Sequence, residues 1–222
     1  MNELNKRIVT SFFLLLVFLS CLMINKFTWL FLLIIFSSIS FFEIKKIIRI
    51  IFKKNLFFFI FVLISLIYVI FFTISAYSLL IISSEIFILY ILSICICSDI
   101  GGYVVGKSVG GKKLTKISPN KTISGSFGSF IFSLIPFIVI LIFKKSELKI
   151  DFNEFSIFLT IISSFFISLL CQVGDLIISF FKRLSKVKDT GNILPGHGGI
   201  LDRIDGIIFA IPIIYLVSTF IK

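Results

Sequence analysis

The chain has 222 residues, of which 58% are hydrophobic and only 15% charged, with a mean hydropathy of +1.16 and a formal net charge of +11. A water-soluble domain of this length has no core large enough to hide so much apolar surface, so composition excludes a soluble enzyme and leaves a chain held mostly in a bilayer. The cations are spread over separate segments without interleaved aromatic rings, which argues against nucleic acid as a partner.

Seven apolar runs follow one another, at roughly 8–24, 27–42, 56–75, 78–97, 123–143, 155–174 and 207–221. Each approaches the roughly 20 residues that cross a hydrocarbon core of about 30 Å. The expected fold class is therefore all-α, a polytopic integral membrane protein of about seven transmembrane helices. Residues 1–222 form one membrane domain on this reading, with N-terminal spans over 1–97 and a catalytic region over 98–222. The first run follows Lys6-Arg7 as a signal peptide would, but it has no small-residue cleavage site and reads as a retained span. The second and seventh runs are short, so one of them could be a partial segment. Leu56–Cys97 is nearly continuous, and its turn could fall anywhere from Thr73 to Glu85. The four cysteines (Cys21, Cys95, Cys97, Cys171) all lie in apolar runs and read as buried free thiols, not metal ligands.

With the N-terminus cytoplasmic, only Lys26, Lys144, Lys145, Lys149 and Lys222 of the 22 Lys and Arg fall on the far face. The positive-inside rule selects that orientation.

Three polar segments interrupt the apolar pattern. The first, Asp99-Ile-Gly101-Gly102-Tyr103-Val-Val-Gly106-Lys107-Ser108, reads as a loop after the fourth span and formally satisfies a P-loop pattern. That reading fails on context, because a P-loop needs a strand and a parallel sheet, and Tyr103-Val104-Val105 reads as an apolar helical turn. The second, Ser118-Pro119-Asn120-Lys121-Thr122, opens a span. Pro119 favours an extended entry, Thr122 or Ser124 can cap the helix, and Lys121 adds charge to a helix start suited to phosphate. Gly125, Gly128 and Ser129 allow close helix packing.

The third segment, Gly174–Gly206, is the most polar. If its helix continues from the preceding span, Asp175, Ser179, Lys182 and Lys186 form one stripe, at i, i+4, i+7 and i+11. Gly191–Gly199 cannot be regular helix, and its Pro195, Gly196, Gly198 and Gly199 favour a turn with bare N–H groups. Asp202 and Asp205 sit at i, i+3 on a resumed helix, so both carboxylates can face one ion. A solvated juxtamembrane charge cluster is the plainer alternative.

The runs Ser179-Phe-Phe-Lys182-Arg183, Lys188-Asp189, Pro195-Gly-His197-Gly198-Gly199 and Asp202-Arg203-Ile-Asp205 closely resemble the signature of the CDP-diacylglycerol synthases, also called phosphatidate cytidylyltransferases. The Asp99 and Ser118–Thr122 segments are similar to that family's other patches. Two departures stand out: the family commonly has acidic residues where this chain has Ser124 and Ile178.

The resemblance implies transfer of a cytidylyl group from CTP to phosphatidate in the bilayer, releasing pyrophosphate. It implies Mg²⁺ on Asp175, Asp202 and Asp205, with room for a second, monovalent cation. Lys182, Arg183 and Arg203 would hold phosphates, and the turn through Gly196, Gly198 and Gly199 would bring N–H groups to the triphosphate. Lys188, Asp189 and His197 complete the catalytic set, His197 either as a phosphate donor or acid for the leaving group, or as a hydrogen bond that stabilises the turn. Asp99, Ser118, Lys121 and Ser179 would contribute to substrate binding, Asp99 otherwise serving as a helix cap or interface residue. The expected location is a bacterial inner membrane, the active site facing the cytoplasm, with the chain alone or as a homodimer. A CTP-dependent lipid-alcohol kinase and a small transporter are the competing readings.

Overall fold

The computed structural model describes residues 3–53, 55–115, 118, 121–144, 154–194 and 198–220. Its elements, in chain order, are α1 (Glu3–Ile24), α2 (Lys26–Phe52), α3 (Leu56–Ile82), α4 (Glu85–Val109), α5 (Ile123–Phe132), α6 (Ile135–Lys144), α7 (Glu154–Leu184), α8 (Leu201–Ile204) and α9 (Ile207–Phe220). Among the described residues five helical stretches are long and apolar enough to cross a membrane, Ile123–Ile142 counting as one, while Phe12–Ile24 and Ile207–Phe220 are shorter apolar helices. The all-α class of a polytopic membrane protein holds, and among the described residues each of the seven apolar runs is mainly helical.

One boundary falls within the range that the sequence leaves open, and two differ from the sequence reading, each for a local reason. The break between the third and fourth spans falls at Ser83-Ser84, next to Glu85, the first polar triplet in a long apolar run; α3 closes there with the Ser83 N–H on the Leu79 carbonyl at 3.0 Å. Helix α2 continues ten residues past the apolar run, because Ile44, Ile47 and Ile48 keep a helical stripe while Lys45, Lys46 and Arg49 take the exposed side. Helix α4 runs on to Val109, so Asp99–Ser108 is helix and not loop. That outcome agrees with setting the P-loop pattern aside.

The chain divides into two compact units, one of residues 1–85 and 177–222, the other of 86–176. In the first unit α2 packs on α1, α3 and α8, and α3 on α9. Asn25 alone separates α1 from α2: its side chain accepts the Phe27 and Thr28 N–H groups, both at 2.9 Å, while the Thr28 hydroxyl takes the Asn25 N–H in a capping box. Pro212 lies inside α9 and has no N–H for the Ile208 carbonyl one turn earlier. The Tyr68 hydroxyl of α3 donates to that carbonyl instead, at 3.1 Å.

In the second unit α4 and α5 meet backbone to backbone. A Cβ at Gly128 would lie 2.5 Å from Val105 Cβ and 2.7 Å from the Gly101 carbonyl oxygen, and one at Gly125 would lie 2.7 Å from the Gly102 oxygen. The packing role expected for Gly125 and Gly128 is what the structure shows, with Gly101 and Gly102 as their partners. Thr122, not Ser124, caps α5, its hydroxyl oxygen accepting the Gly125 N–H at 3.0 Å; Ser124 donates to the Gly110 carbonyl. Helix α4 is joined to α7 by hydroxyl pairs, Tyr90 with Ser164 and Ser98 with Ser168, each at 2.8 Å. The cysteines are free thiols, Cys95 and Cys171 buried and Cys21 and Cys97 half-buried.

Candidate active site

The signature begins on α7, which carries Asp175, Ser179 and Lys182 as one stripe and then stops at Leu184. The stop is a Schellman cap: the Lys186 N–H bonds the Arg183 carbonyl at 3.1 Å and the Val187 N–H bonds the Lys182 carbonyl at 3.0 Å. Lys186 takes the left-handed conformation usually left to glycine, with φ 55°. It therefore leaves the stripe that the spacing predicts.

Beyond the cap the chain folds onto α8, and Asp202 gathers it. Its Oδ1 accepts from Lys182 Nζ at 2.7 Å, and its Oδ2 accepts the Thr190 and Gly199 N–H groups at 2.8 and 3.0 Å. The side chain is only 7% exposed. Burial pushes its carboxyl up, but the Lys182 hydrogen bond, the two N–H groups and the lysine charge outweigh that and hold it below the usual carboxylate value.

Behind Asp202 lies a second carboxylate that the sequence analysis did not single out. Glu43, on α2, is 5% exposed. Its Oε1 accepts the Ile200 N–H at 3.1 Å and its Oε2 the Leu201 N–H at 2.9 Å. The Thr190 hydroxyl stands between the two acids, 2.9 Å from Glu43 Oε2 and 3.0 Å from Asp202 Oδ2. Gly191 and Gly199 close on the same carboxylate, where a Cβ at either would overlap it. The N–H groups of residues 199–201 are thus taken up by the protein's own acids, where the sequence suggests bare donors for an anion.

The remaining candidates divide between the two units. In the unit of residues 86–176, Lys121 and Asp175 form an ion pair, which brings the second and third polar segments together. Asp99 lies exposed on α4. The Ser118 N–H bonds the Thr115 hydroxyl at 3.2 Å, and the Ser118 carbonyl accepts the Lys121 N–H at 3.1 Å. In the other unit Arg183, Lys188, Asp189 and Arg203 are exposed, and Ser179 is half-buried. Asp205 Oδ1 accepts the Gly206 N–H at 2.9 Å. Gly198 has φ 84° and pairs with Leu194 in an isolated bridge. Gly196 and His197, with Pro195, lie outside the described residues.

Ile178, where the resemblance expects an acid, is buried and lines an apolar cavity of about 220 Å³ with Ile44, Ser65, Tyr68, Phe181 and Leu201. An ionised side chain there would be desolvated by that lining. Glu43 and Thr190 are the residues that sequence reasoning missed. The available signal was an acid inside the apolar run Phe41-Phe42-Glu43-Ile44, where an ionisable side chain is itself a functional hint.

Among the described residues no three His, Cys, Asp or Glu side chains converge as a metal cluster. Asp202 and Asp205 carry carboxylate oxygens, the ligand type that a hard divalent cation takes. N–H donors fill Asp202 Oδ2 and the Lys182 ammonium holds Oδ1, so a cation on Asp202 would have to displace that lysine.

Residues 51–221 match the cytidylyltransferase family. A Staphylococcus haemolyticus protein named phosphatidate cytidylyltransferase is 46% identical over 129 residues, 58% of this chain and 47% of that protein. Proteins of the same name from Bacillus subtilis and Staphylococcus aureus (strain N315) are each 44% identical, over 131 and 129 residues, covering 57% and 58% of this chain and 46% and 47% of theirs. The chain spans about half the length of the curated relatives it matches. Such a family carries the general implication of a divalent metal, and the matched region contains every polar segment singled out above: the chain belongs to the cytidylyltransferase family.

Proposed function

We propose that this chain transfers a cytidylyl group from CTP to phosphatidate, giving CDP-diacylglycerol and pyrophosphate. The observation that carries the reading is the 43–46% identity to proteins named phosphatidate cytidylyltransferase. The apolar cavity bordered by Phe181 and Leu201, sequence neighbours of Lys182 and Asp202, supports a lipid acceptor. The active site would lie at headgroup level on the cytoplasmic face of a bacterial inner membrane, because acyl chains leave the bilayer only at about 0.8 kcal/mol per CH₂.

Phosphatidate is a phosphate monoester with a second pKa near 6, so it is largely dianionic at pH 7 and needs no strong base. One of its phosphate oxygens forms a bond to the CTP α-phosphorus, the bond from that phosphorus to the bridging oxygen breaks, and pyrophosphate leaves with the electron pair. The obstacle is repulsion between two polyanions, so the residues must position and neutralise. Lys182, Arg183 and Arg203 hold phosphate oxygens, the arginines in bidentate fashion. Lys121, at the start of α5, supplies a further positive charge. Asp175, Asp202 and Asp205 would hold Mg²⁺, which supplies charge neutralisation at the transferred phosphoryl group. His197 is a phosphate contact and not an essential base.

The test uses the purified full chain in detergent with labelled CTP, phosphatidate and Mg²⁺. The expected products are a liponucleotide and pyrophosphate; CDP and a phosphorylated lipid alcohol would instead establish the kinase reading. His197→Gln should keep measurable turnover and Asp205→Ala should lose nearly all of it. A fully active Asp205→Ala enzyme would overturn the metal assignment.

A further inference from the structure

Glu43 lies upstream of the residues 51–221 that match the family, yet all its hydrogen bonds described above go to the signature loop. Burying an acid is an expensive way to pin a loop, since an amide or an apolar contact does so without desolvating a carboxyl group. Here the acid is matched to its surroundings: two consecutive N–H groups at the start of α8 and one hydroxyl point at it. Gly191 and Gly199 close over it from two sides, and neither has a positive φ. They are glycines for space, so that backbone can touch the carboxylate.

The Thr190 hydroxyl has one proton and two carboxylate oxygens within 3.0 Å. It can donate to only one at a time. Glu43 and Asp202 therefore compete for the same proton, and the position and charge of one are felt by the other through a single atom. The same loop sets Asp202 against Lys182 by way of the Thr190 and Gly199 N–H groups.

We propose that Glu43 is a positioning residue for the transfer reaction: acting through the Thr190 hydroxyl and the N–H groups of Ile200 and Leu201, it fixes the orientation of Asp202 and hence of the Lys182–Asp202 pair. The kinetic part of this inference rests on the cytidylyltransferase reading above; the structural part does not.

The experiment compares full-length wild type, Glu43→Gln, Thr190→Val and Thr190→Ser in detergent. Two measurements are made: amide hydrogen exchange over residues 198–204, and steady-state kinetics with CTP, phosphatidate and Mg²⁺. In Glu43→Gln the new side-chain amide would turn its NH₂ group toward an N–H donor in either orientation. This variant should therefore lose protection at Gly199–Leu201. Its kcat should fall by about 10–100-fold, the range for residues that orient a ligating group, with KM for CTP little changed. Thr190→Val should show the same kcat loss, and Thr190→Ser, which keeps the hydroxyl, should recover it. That rescue and the kcat-against-KM split separate positioning from a general loss of fold, and the Thr190 pair decides the matter if Glu43→Gln does not fold. Wild-type kcat in folded Glu43→Gln and Thr190→Val would overturn the proposal. If wild type forms no liponucleotide, the transfer reading fails and exchange alone decides: lost protection in Glu43→Gln supports the role of Glu43, and unchanged protection overturns it.

Discussion

The contact between Tyr68 and the Ile208 carbonyl gives a prediction whose sign depends on a missing proton. Pro212 leaves that carbonyl without its helical donor, and the Tyr68 hydroxyl fills the gap at 3.1 Å next to Ile208, itself 1% exposed. Tyr68→Phe should leave a buried carbonyl unsatisfied and destabilise by about 1–3 kcal/mol. Pro212→Ala restores an N–H four residues after Ile208, so in that background Tyr68→Phe should cost at least about 1 kcal/mol less. The assay is a double-mutant cycle of unfolding in mixed micelles titrated with a denaturing detergent. Its signal is the fluorescence of Trp29, the chain's single tryptophan, 1% exposed against the edge of Phe18. Equal costs of Tyr68→Phe in both backgrounds, within about 0.5 kcal/mol, would refute the reasoning, because independent sites add to that accuracy.

The glycine contact between α4 and α5 predicts that Gly128→Ala destabilises by about 1–3 kcal/mol, the usual range for overpacking. Val105→Ala keeps the Cβ that the new methyl would strike and leaves the Gly101 carbonyl in place, so it should recover little of the loss by thermal unfolding; full recovery would place the strain on the Val105 γ-methyls alone. Asp202 predicts an acid limb of stability. Its folded-state pKa is depressed, so its contribution is complete above the ordinary value of about 3.9 and is lost as pH falls through the lower folded value. With chelator present, wild type should lose stability over that window and Asp202→Asn should lose less. Parallel acid limbs in the two proteins would contradict it.

What could be read from the chain alone was whatever a single helix or a single cap decides. The seven apolar runs, the glycines at 125 and 128, and the capping hydroxyl near 122 were legible because period, size and local hydrogen bonding specify them. The features that escaped depend on a partner remote in sequence. Glu43 was lost among Lys45, Lys46 and Arg49, because counting charges by loop hides one acid that turns inward on a helix continuing past its apolar run. The N–H groups of Gly199 and its neighbours looked bare because nothing local shows that Glu43 and Asp202 reach them. Lys186 seemed to continue a stripe because no glycine marks the cap at which α7 ends. The pairing of Lys121 with Asp175 joins two segments more than fifty residues apart, and no periodicity reports it.

Where α4 crosses α5, the glycines let each backbone touch the other's carbonyl oxygens directly, so little side chain lies between them to absorb a displacement. The start of α5, and with it the root of Lys121, is thus located as rigidly as the main chain itself. A long, supple lysine mounted on an unyielding base can follow Asp175 through small motions without the base having to move, so this ion pair can tolerate changes in the groups around it that would break one built on a loop.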